Sequence, residues 1–194
     1  MSRDYCPRCK RPPGLCYCSA LVQIDNQIKV VIIQHPREQK HPFNTGRMTH
    51  LCLNHSQLIV TETLSDSAIE QILSTPSILL YPSLAWLPVQ AELNLQEEIR
   101  TKRLQQLIVI DATWRKSKKI LHCHPALQTL PRLSLTGNLI SRYKIRKTSV
   151  ANGLSTIEST IQALTILDPE NGFDSMLEPF DRMISLQYSQ RHPH

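Results

Sequence analysis

Short apolar runs alternate along this chain with segments whose apolar residues recur at helical spacing. Residues 28–34 (Ile-Lys-Val-Val-Ile-Ile-Gln), 57–60, 77–81 and 107–110 are dense in Val, Ile and Leu and lack an apolar/polar alternation. Such runs predict strands buried on both faces, as in a parallel sheet. A shorter run at 132–135 adds one more. Between the strands, residues 45–53 and 67–73 predict helices, the second opened by a capping box from Ser67 to Glu70. Residues 96–106 predict a charged surface helix. Leu154, Ile157, Ile161, Leu164 and Leu167 share one face of a helix over 154–167, whose opening Ser155-Thr-Ile-Glu158 fits another capping box. Met176, Phe180, Met183 and Ile184 mark the inner face of a terminal helix over 174–194. This alternation predicts an α/β fold with a mostly parallel sheet and helices on both faces.

The strand at 107–110 runs directly into Asp111-Ala-Thr113-Trp114, followed by Arg115, Lys116, Lys118 and Lys119. Ligands of open α/β sheets gather outside the carboxyl ends of strands. An acid, a hydroxyl, an indole and a group of cations are thus concentrated where a site is expected. The same residues also fit an Asp that starts a turn over a packed Trp. The strand at 28–34 ends similarly, in His35-Pro36-Arg-Glu38 and then Asn44-Thr45-Gly46. Pro36 and Pro42 should delay the next helix until about residue 45. Asn44 to Gly46 then present N–H groups suited to an anion, or ordinary capping chemistry.

Four thiols lie within the first eighteen residues, as Cys6-Pro-Arg-Cys9 and Cys16-Tyr-Cys18, with Pro12, Pro13 and Gly14 turning the chain between them. This set suits a tetrahedral zinc site. The stretch holds few core-forming side chains, so the metal would supply its folding energy. A segment over 1–22, separate from a main domain over 23–194, is therefore expected. Its loss should spare the sheet. Cys52 and Cys123 read as buried thiols.

A net charge of +6 and a pI near 9.1 favour a polyanionic partner, nucleic acid before membrane. Residues 136–152 read as a polar loop with Arg142, Tyr143, Arg146 and Lys147, a mixture suited to phosphate contacts and base stacking. No apolar run approaches a bilayer span and the N-terminus lacks a signal core, so a cytoplasmic protein without a membrane is expected. No glycine-rich dinucleotide or P-loop fingerprint accompanies the strands.

Taken in order, several blocks resemble the DTW-domain family, tRNA-uridine aminocarboxypropyltransferases related to the SPOUT superfamily of knotted RNA-modifying enzymes. They are Cys6, Cys9, Cys16 and Cys18; His35-Pro36 with Glu38; Asn44-Thr45-Gly46; Tyr81-Pro82; Asp111-x-Thr113-Trp114; Tyr143 with Arg146; and Ser155-Thr156-x-Glu158. The resemblance implies a SPOUT-like domain with a C-terminal knot. It implies S-adenosylmethionine as donor, a tRNA uridine as acceptor, and transfer of the 3-amino-3-carboxypropyl group to uracil N3. Methylthioadenosine is left behind. A methyltransferase on the same fold, or a non-catalytic zinc-containing RNA-binding module, are the competing classes.

By the same resemblance Asp111 is the candidate general base, with Thr113 as its hydrogen-bond partner and Trp114 shaping the donor pocket or stacking on a base. The donor is expected against Pro82, Ser83, Thr113, Leu135, Leu154, Ser155 and Thr156. RNA is expected against Arg115, Lys116, Arg142, Tyr143, Arg146 and Lys147, although Arg142 and Arg146 suit the donor carboxylate equally. No obligate protein partner is implied.

Overall fold

A computed structural model describes residues 4–89, 94–101, 103–135 and 154–191. The basic segment with Arg142, Tyr143, Arg146 and Lys147 lies outside them. In chain order the elements are β1 (Lys29–Gln34), α1 (Pro36–Gln39), α2 (Thr45–Cys52), β2 (Ser56–Val60), α3 (Asp66–Leu73), β3 (Ser77–Leu80) and α4 (Leu95–Arg100). Then follow β4 (Gln106–Asp111), α5 (Trp114–Cys123), α6 (Pro125–Gln128), β5 (Arg132–Leu133), α7 (Thr156–Leu167) and α8 (Leu177–Arg191). Single 3-10 turns at Pro13–Leu15, Cys18–Ala20 and Asp174–Met176 complete the set among the described residues.

The five strands form one sheet in the order β2-β1-β4-β3-β5, with every pairing parallel. Strand residues alternate between two cores, because successive side chains point to opposite faces. Val30, Ile32, Leu107, Val109 and Ile78 join one core with α2, α7 and α8. Val31, Ile33, Ile108 and Leu79 join the other with α3, α5 and α6. Double-sided burial explains why the central strands read as continuous apolar runs. All carboxyl ends fall on one edge, where Gln34, Val60, Leu80, Asp111 and Leu133 finish their strands.

Several local expectations change. Pro36 starts a helix rather than delaying one, since proline is well suited to the first helical turn, where an N–H needs no intrahelical partner. The cap of α3 is Ser65, which accepts from the Ala68 N–H, so the Ser67/Glu70 box does not form. The charged helix stops at Arg100, because Gln106 already belongs to β4, where it bonds Ser77 and the Ile72 carbonyl. The terminal helix begins at Leu177 after a 3-10 turn. Cys52 is buried as expected, but Cys123 is exposed at the end of α5. The capping box of α7 is present, with Ser155 and Glu158 bonding reciprocally. Among the described residues no helix is long and apolar enough to cross a membrane.

His124 shows how the helix layer is pinned. Its Nε2 accepts the Leu64 N–H at 3.0 Å, tying the α5 end to the loop before α3. Burial lowers the pKa of His124, and likewise those of His35 and His50. A histidine depressed on folding contributes stability that is present above its unfolded pKa of roughly 6.5 and is lost as pH falls below it. The urea midpoint should therefore drop between pH 7.5 and 5.5. His124→Asn should lower it at pH 7.5, by a margin that shrinks at pH 5.5. A constant margin would mean that His124 has the same pKa in the folded and unfolded chains.

Candidate active site and metal centre

The register of β1 against β4 sets Gln34 beside Asp111, both at the carboxyl edge. Gln34 is fully buried, and its Nε2 donates to Asp111 Oδ2 at 2.6 Å. From the other side Thr156, the first residue of α7, donates its hydroxyl to Asp111 Oδ1 at 2.6 Å. The backbone joins in, since the His35 N–H donates to the Asp111 carbonyl at 3.0 Å. Asp111 is only 8 % exposed. Both carboxylate oxygens thus accept from the protein's own side chains, which fix the carboxylate between β1 and α7.

Gly46 in α2 makes that arrangement possible. A Cβ there would lie 2.2 Å from Asp111 Oδ2, 2.8 Å from its Cγ and 2.9 Å from Gln34 Nε2. Gln34 Nε2 also donates to Asn44 Oδ1 at 2.8 Å, and the same Asn44 oxygen accepts the Arg47 N–H at 2.9 Å as the cap of α2. Thr45 and Gly46 are buried. The start of α2 is therefore closed over Asp111, and the anion site anticipated there is not formed. Thr156, not Thr113, supplies the hydroxyl to Asp111. Thr113 is exposed at the start of α5, with no side-chain capping bond.

Trp114 begins α5 and is 45 % exposed, its ring edge-on to Tyr81 at 5.9 Å between centroids. The buried Tyr81 hydroxyl bonds Ser117 Oγ at 3.0 Å, fixing that ring from below. An exposed indole on a fixed support can stack on a planar ligand. Arg115 is exposed, whereas Lys116 bonds Glu38 at 3.1 Å with side-chain exposures of 16 and 11 %. A phosphate contact by Lys116 would have to open this shielded pair. Lys116 therefore braces α5 against α1, a role that its sequence neighbourhood of cations concealed.

Pro82 and Ser83 follow β3, Leu135 follows β5, and Leu154 to Thr156 open α7, so the implied donor segments all lie at the same sheet edge. Between the loop after β3 and the end of β5 lies a hollow of about 380 Å³, bordered by Ser83, Leu84, Leu87, Pro88, Arg132 and Ser134. Its size falls in the range of small-molecule pockets. Arg132 donates to the carbonyls of Pro88 and Gln128 at 2.5 and 3.2 Å, and burial lowers its pKa. Nothing in the sequence singles out Arg132, a lone cation in a two-residue strand.

The four N-terminal cysteines converge. Their Sγ atoms lie within 4.8 Å of one another, with Cys6–Cys18 at 3.6 Å and Cys9–Cys16 at 3.7 Å. Zinc–sulfur bonds of about 2.3 Å in a tetrahedron place sulfurs roughly 3.8 Å apart, so the set fits zinc. Lys10 takes a left-handed conformation (φ 58°) that closes the first turn, and its N–H reaches the Cys6 carbonyl at 2.9 Å. Hydrogen bonds, that from the Cys9 backbone first, lower the Cys6 pKa to about 6, while burial raises those of Cys9 and Cys18. Metal binding would favour all four thiolates.

This loop is not an isolated tail. Tyr17 is 1 % exposed and Cys9 4 %, and both belong to the core that α7 and α8 share with the sheet. A single tyrosine between two cysteines carries little periodic signal, which is why the sequence reads as coreless. Cys6→Ser should therefore lower the unfolding midpoint of the whole chain, beyond loosening residues 4–21, with loss of about one bound zinc measured by elemental analysis. An unchanged midpoint with lost metal would restore the picture of a detachable loop.

The DTW domain model matches residues 3–188. The chain belongs to the DTW-domain family. This DTW domain is 33 % identical over 175 residues to tRNA-uridine aminocarboxypropyltransferase 2 of Drosophila melanogaster, covering 86 % of the chain and 67 % of the relative. It is 28 % identical over 196 residues to the Mus musculus protein of the same name, covering 95 % of the chain and 64 % of that protein. A third relative, tRNA-uridine aminocarboxypropyltransferase A of Arabidopsis thaliana, is 27 % identical over 199 residues, covering 87 and 74 %. The chain thus spans about two thirds of the length of the first two. No solved structure matches this DTW domain significantly.

Proposed function

We propose that this DTW domain transfers the 3-amino-3-carboxypropyl group of S-adenosylmethionine to N3 of a uridine in tRNA. Uracil N3 gives up its proton to solvent water and attacks the γ-carbon of the methionine chain. The carbon–sulfur bond breaks with its electron pair left on sulfur, which neutralises the sulfonium and releases methylthioadenosine. Convergence of the Asp111-x-Thr113-Trp114 signature with the start of α7 at one sheet edge carries this reading, together with the relatives' names. The donor sits along Pro82, Ser83, Leu135 and Leu154 to Thr156, beside the hollow bordered by Arg132. Trp114 stacks on the target base or the donor adenine. Arg115, with Arg142, Tyr143, Arg146 and Lys147, holds the tRNA backbone. The SPOUT-like knot is part of the same proposal.

Asp111 enters as an anchor. To act as general base it would have to release Gln34 or Thr156 and open to the substrate, whereas both of its oxygens are held at 2.6 Å. Its work is to set the α7 start, and so the donor loop, against the sheet. Zinc has a structural part at Cys6, Cys9, Cys16 and Cys18, remote in sequence from the signature.

Incubating the protein with unmodified tRNA and S-adenosylmethionine, then analysing nucleosides and small molecules by mass spectrometry, tests the reaction. Aminocarboxypropyl-uridine and methylthioadenosine should appear in equal amounts. S-adenosylhomocysteine with a methylated base would identify a methyltransferase. Tight RNA binding with neither by-product would leave a binding module.

A further inference from the structure

A buried side chain links the cysteine loop to the segment that leads into α2. Arg11 closes the metal loop through its backbone, its carbonyl accepting the Cys6 N–H at 2.8 Å. Its guanidinium lies over the buried Tyr17 ring, 5.9 Å from the centroid, and donates through Nη1 to the carbonyl of Pro42. Two residues on, Asn44 caps α2 and accepts from Gln34, which holds Asp111. Phe43, between them, packs on the core that also carries Cys6, Cys16 and Cys18.

We propose that Arg11 is a positioning residue, tying residues 42–44, and through Asn44 and Gln34 the Asp111 carboxylate, to the ordered cysteine loop. This rests on the reading of the Asp111 edge as the transfer site. The physical case starts from residues 39–42, which are exposed and bury little apolar surface of their own. A segment of that kind opens readily unless its backbone is held. Gln187 of α8 reaches the same Pro42 carbonyl, but at 3.3 Å and with a neutral amide. A charged guanidinium makes the stronger bond. Stacking over Tyr17 keeps it from swinging to solvent. The cysteine loop, built of single 3-10 turns, takes its order from the four thiols being held together. Metal order, Arg11, the Pro42 carbonyl and the cap of α2 therefore form one mechanical series.

Arg11→Met in the full chain removes the donor and keeps an apolar stem of similar length. Zinc content should stay at about one per chain. Amides of residues 44–47 should exchange with solvent faster, by roughly tenfold, because the segment opens locally. Calorimetric affinity for S-adenosylmethionine should weaken, and Arg11→Lys should recover part of both losses. Chelating the metal from the wild-type protein should speed exchange at 44–47 in the same way, and should add nothing there in Arg11→Met. Wild-type exchange at 44–47 in a zinc-loaded Arg11→Met protein would overturn the proposal. So would chelation that loosens residues 4–21 alone. Should the wild-type protein fail to bind S-adenosylmethionine, the functional reading falls, while the exchange data still decide the role of Arg11.

Discussion

Gly46→Ala is expected to disable the site while leaving most of the fold in place. In an ordinary helix this substitution gains about 1 kcal/mol, because alanine loses less backbone entropy. Here the added methyl would stand 2.2 Å from Asp111 Oδ2, inside any van der Waals contact. Neither neighbour can yield cheaply. Moving Asp111 breaks its bonds to Gln34 and Thr156, and moving α2 unseats the Asn44 cap. Overpacking of this kind costs roughly 1–3 kcal/mol, which exceeds the helical gain. A displacement of about 1 Å at a positioned group can cost on the order of a hundredfold in rate. Thermal unfolding should show a lowered midpoint, and transfer to tRNA should fall by about that factor. A double-mutant cycle identifies the cause. On an Asp111→Ala background, Gly46→Ala should be neutral or stabilising, because the carboxylate is gone and the Gln34 amide, no longer held by it, can shift aside. If it remains equally damaging there, the clash with Asp111 is not the reason.

Asp111→Asn should weaken donor binding more than it slows the chemical step. The amide keeps the shape but offers one acceptor oxygen where the carboxylate offered two. Either Gln34 or Thr156 must then face an N–H₂ group. Thr156 can rotate its hydroxyl to accept, but Gln34 can turn its oxygen inward only by abandoning Asn44. Turning Thr156 pairs every group, but it replaces two charge-assisted bonds by neutral ones, at roughly 1 kcal/mol each. The α7 start, with Leu154 to Thr156, should loosen, and the S-adenosylmethionine affinity should fall in proportion to activity at low donor. Under single-turnover conditions with saturating donor the rate should return to within about tenfold of wild type, well short of the hundredfold to ten-thousandfold that removing a general base costs. A rate that stays lower by a thousandfold at saturation would reinstate Asp111 as the base.

Most of the architecture was legible because its signals are local. The double-sided apolar runs of β1, β3 and β4, the 3.6-residue stripe of α7 with its Ser155/Glu158 box, and the paired cysteines each announce themselves within a few residues. The strand that ends in Asp111 marks a carboxyl end of the sheet for the same reason. Local signals mislead where two capping or breaking chemistries compete, as at Pro36 and Ser65.

The sequence by itself determined that a buried parallel sheet would carry an acid at a strand's carboxyl end, and that four thiols would gather near the N-terminus. Hydrophobic periodicity and cysteine spacing are written in neighbouring residues, so no tertiary information is needed to read them. Only the tertiary structure decided what each polar side chain faces. Gln34 meets Asp111 across 77 residues, Thr156 meets it across 45, Lys116 turns to Glu38 across 78, and Arg11 reaches Pro42 across 31. These pairings follow from strand order, register and helix docking, which fix distances that separation along the chain does not encode.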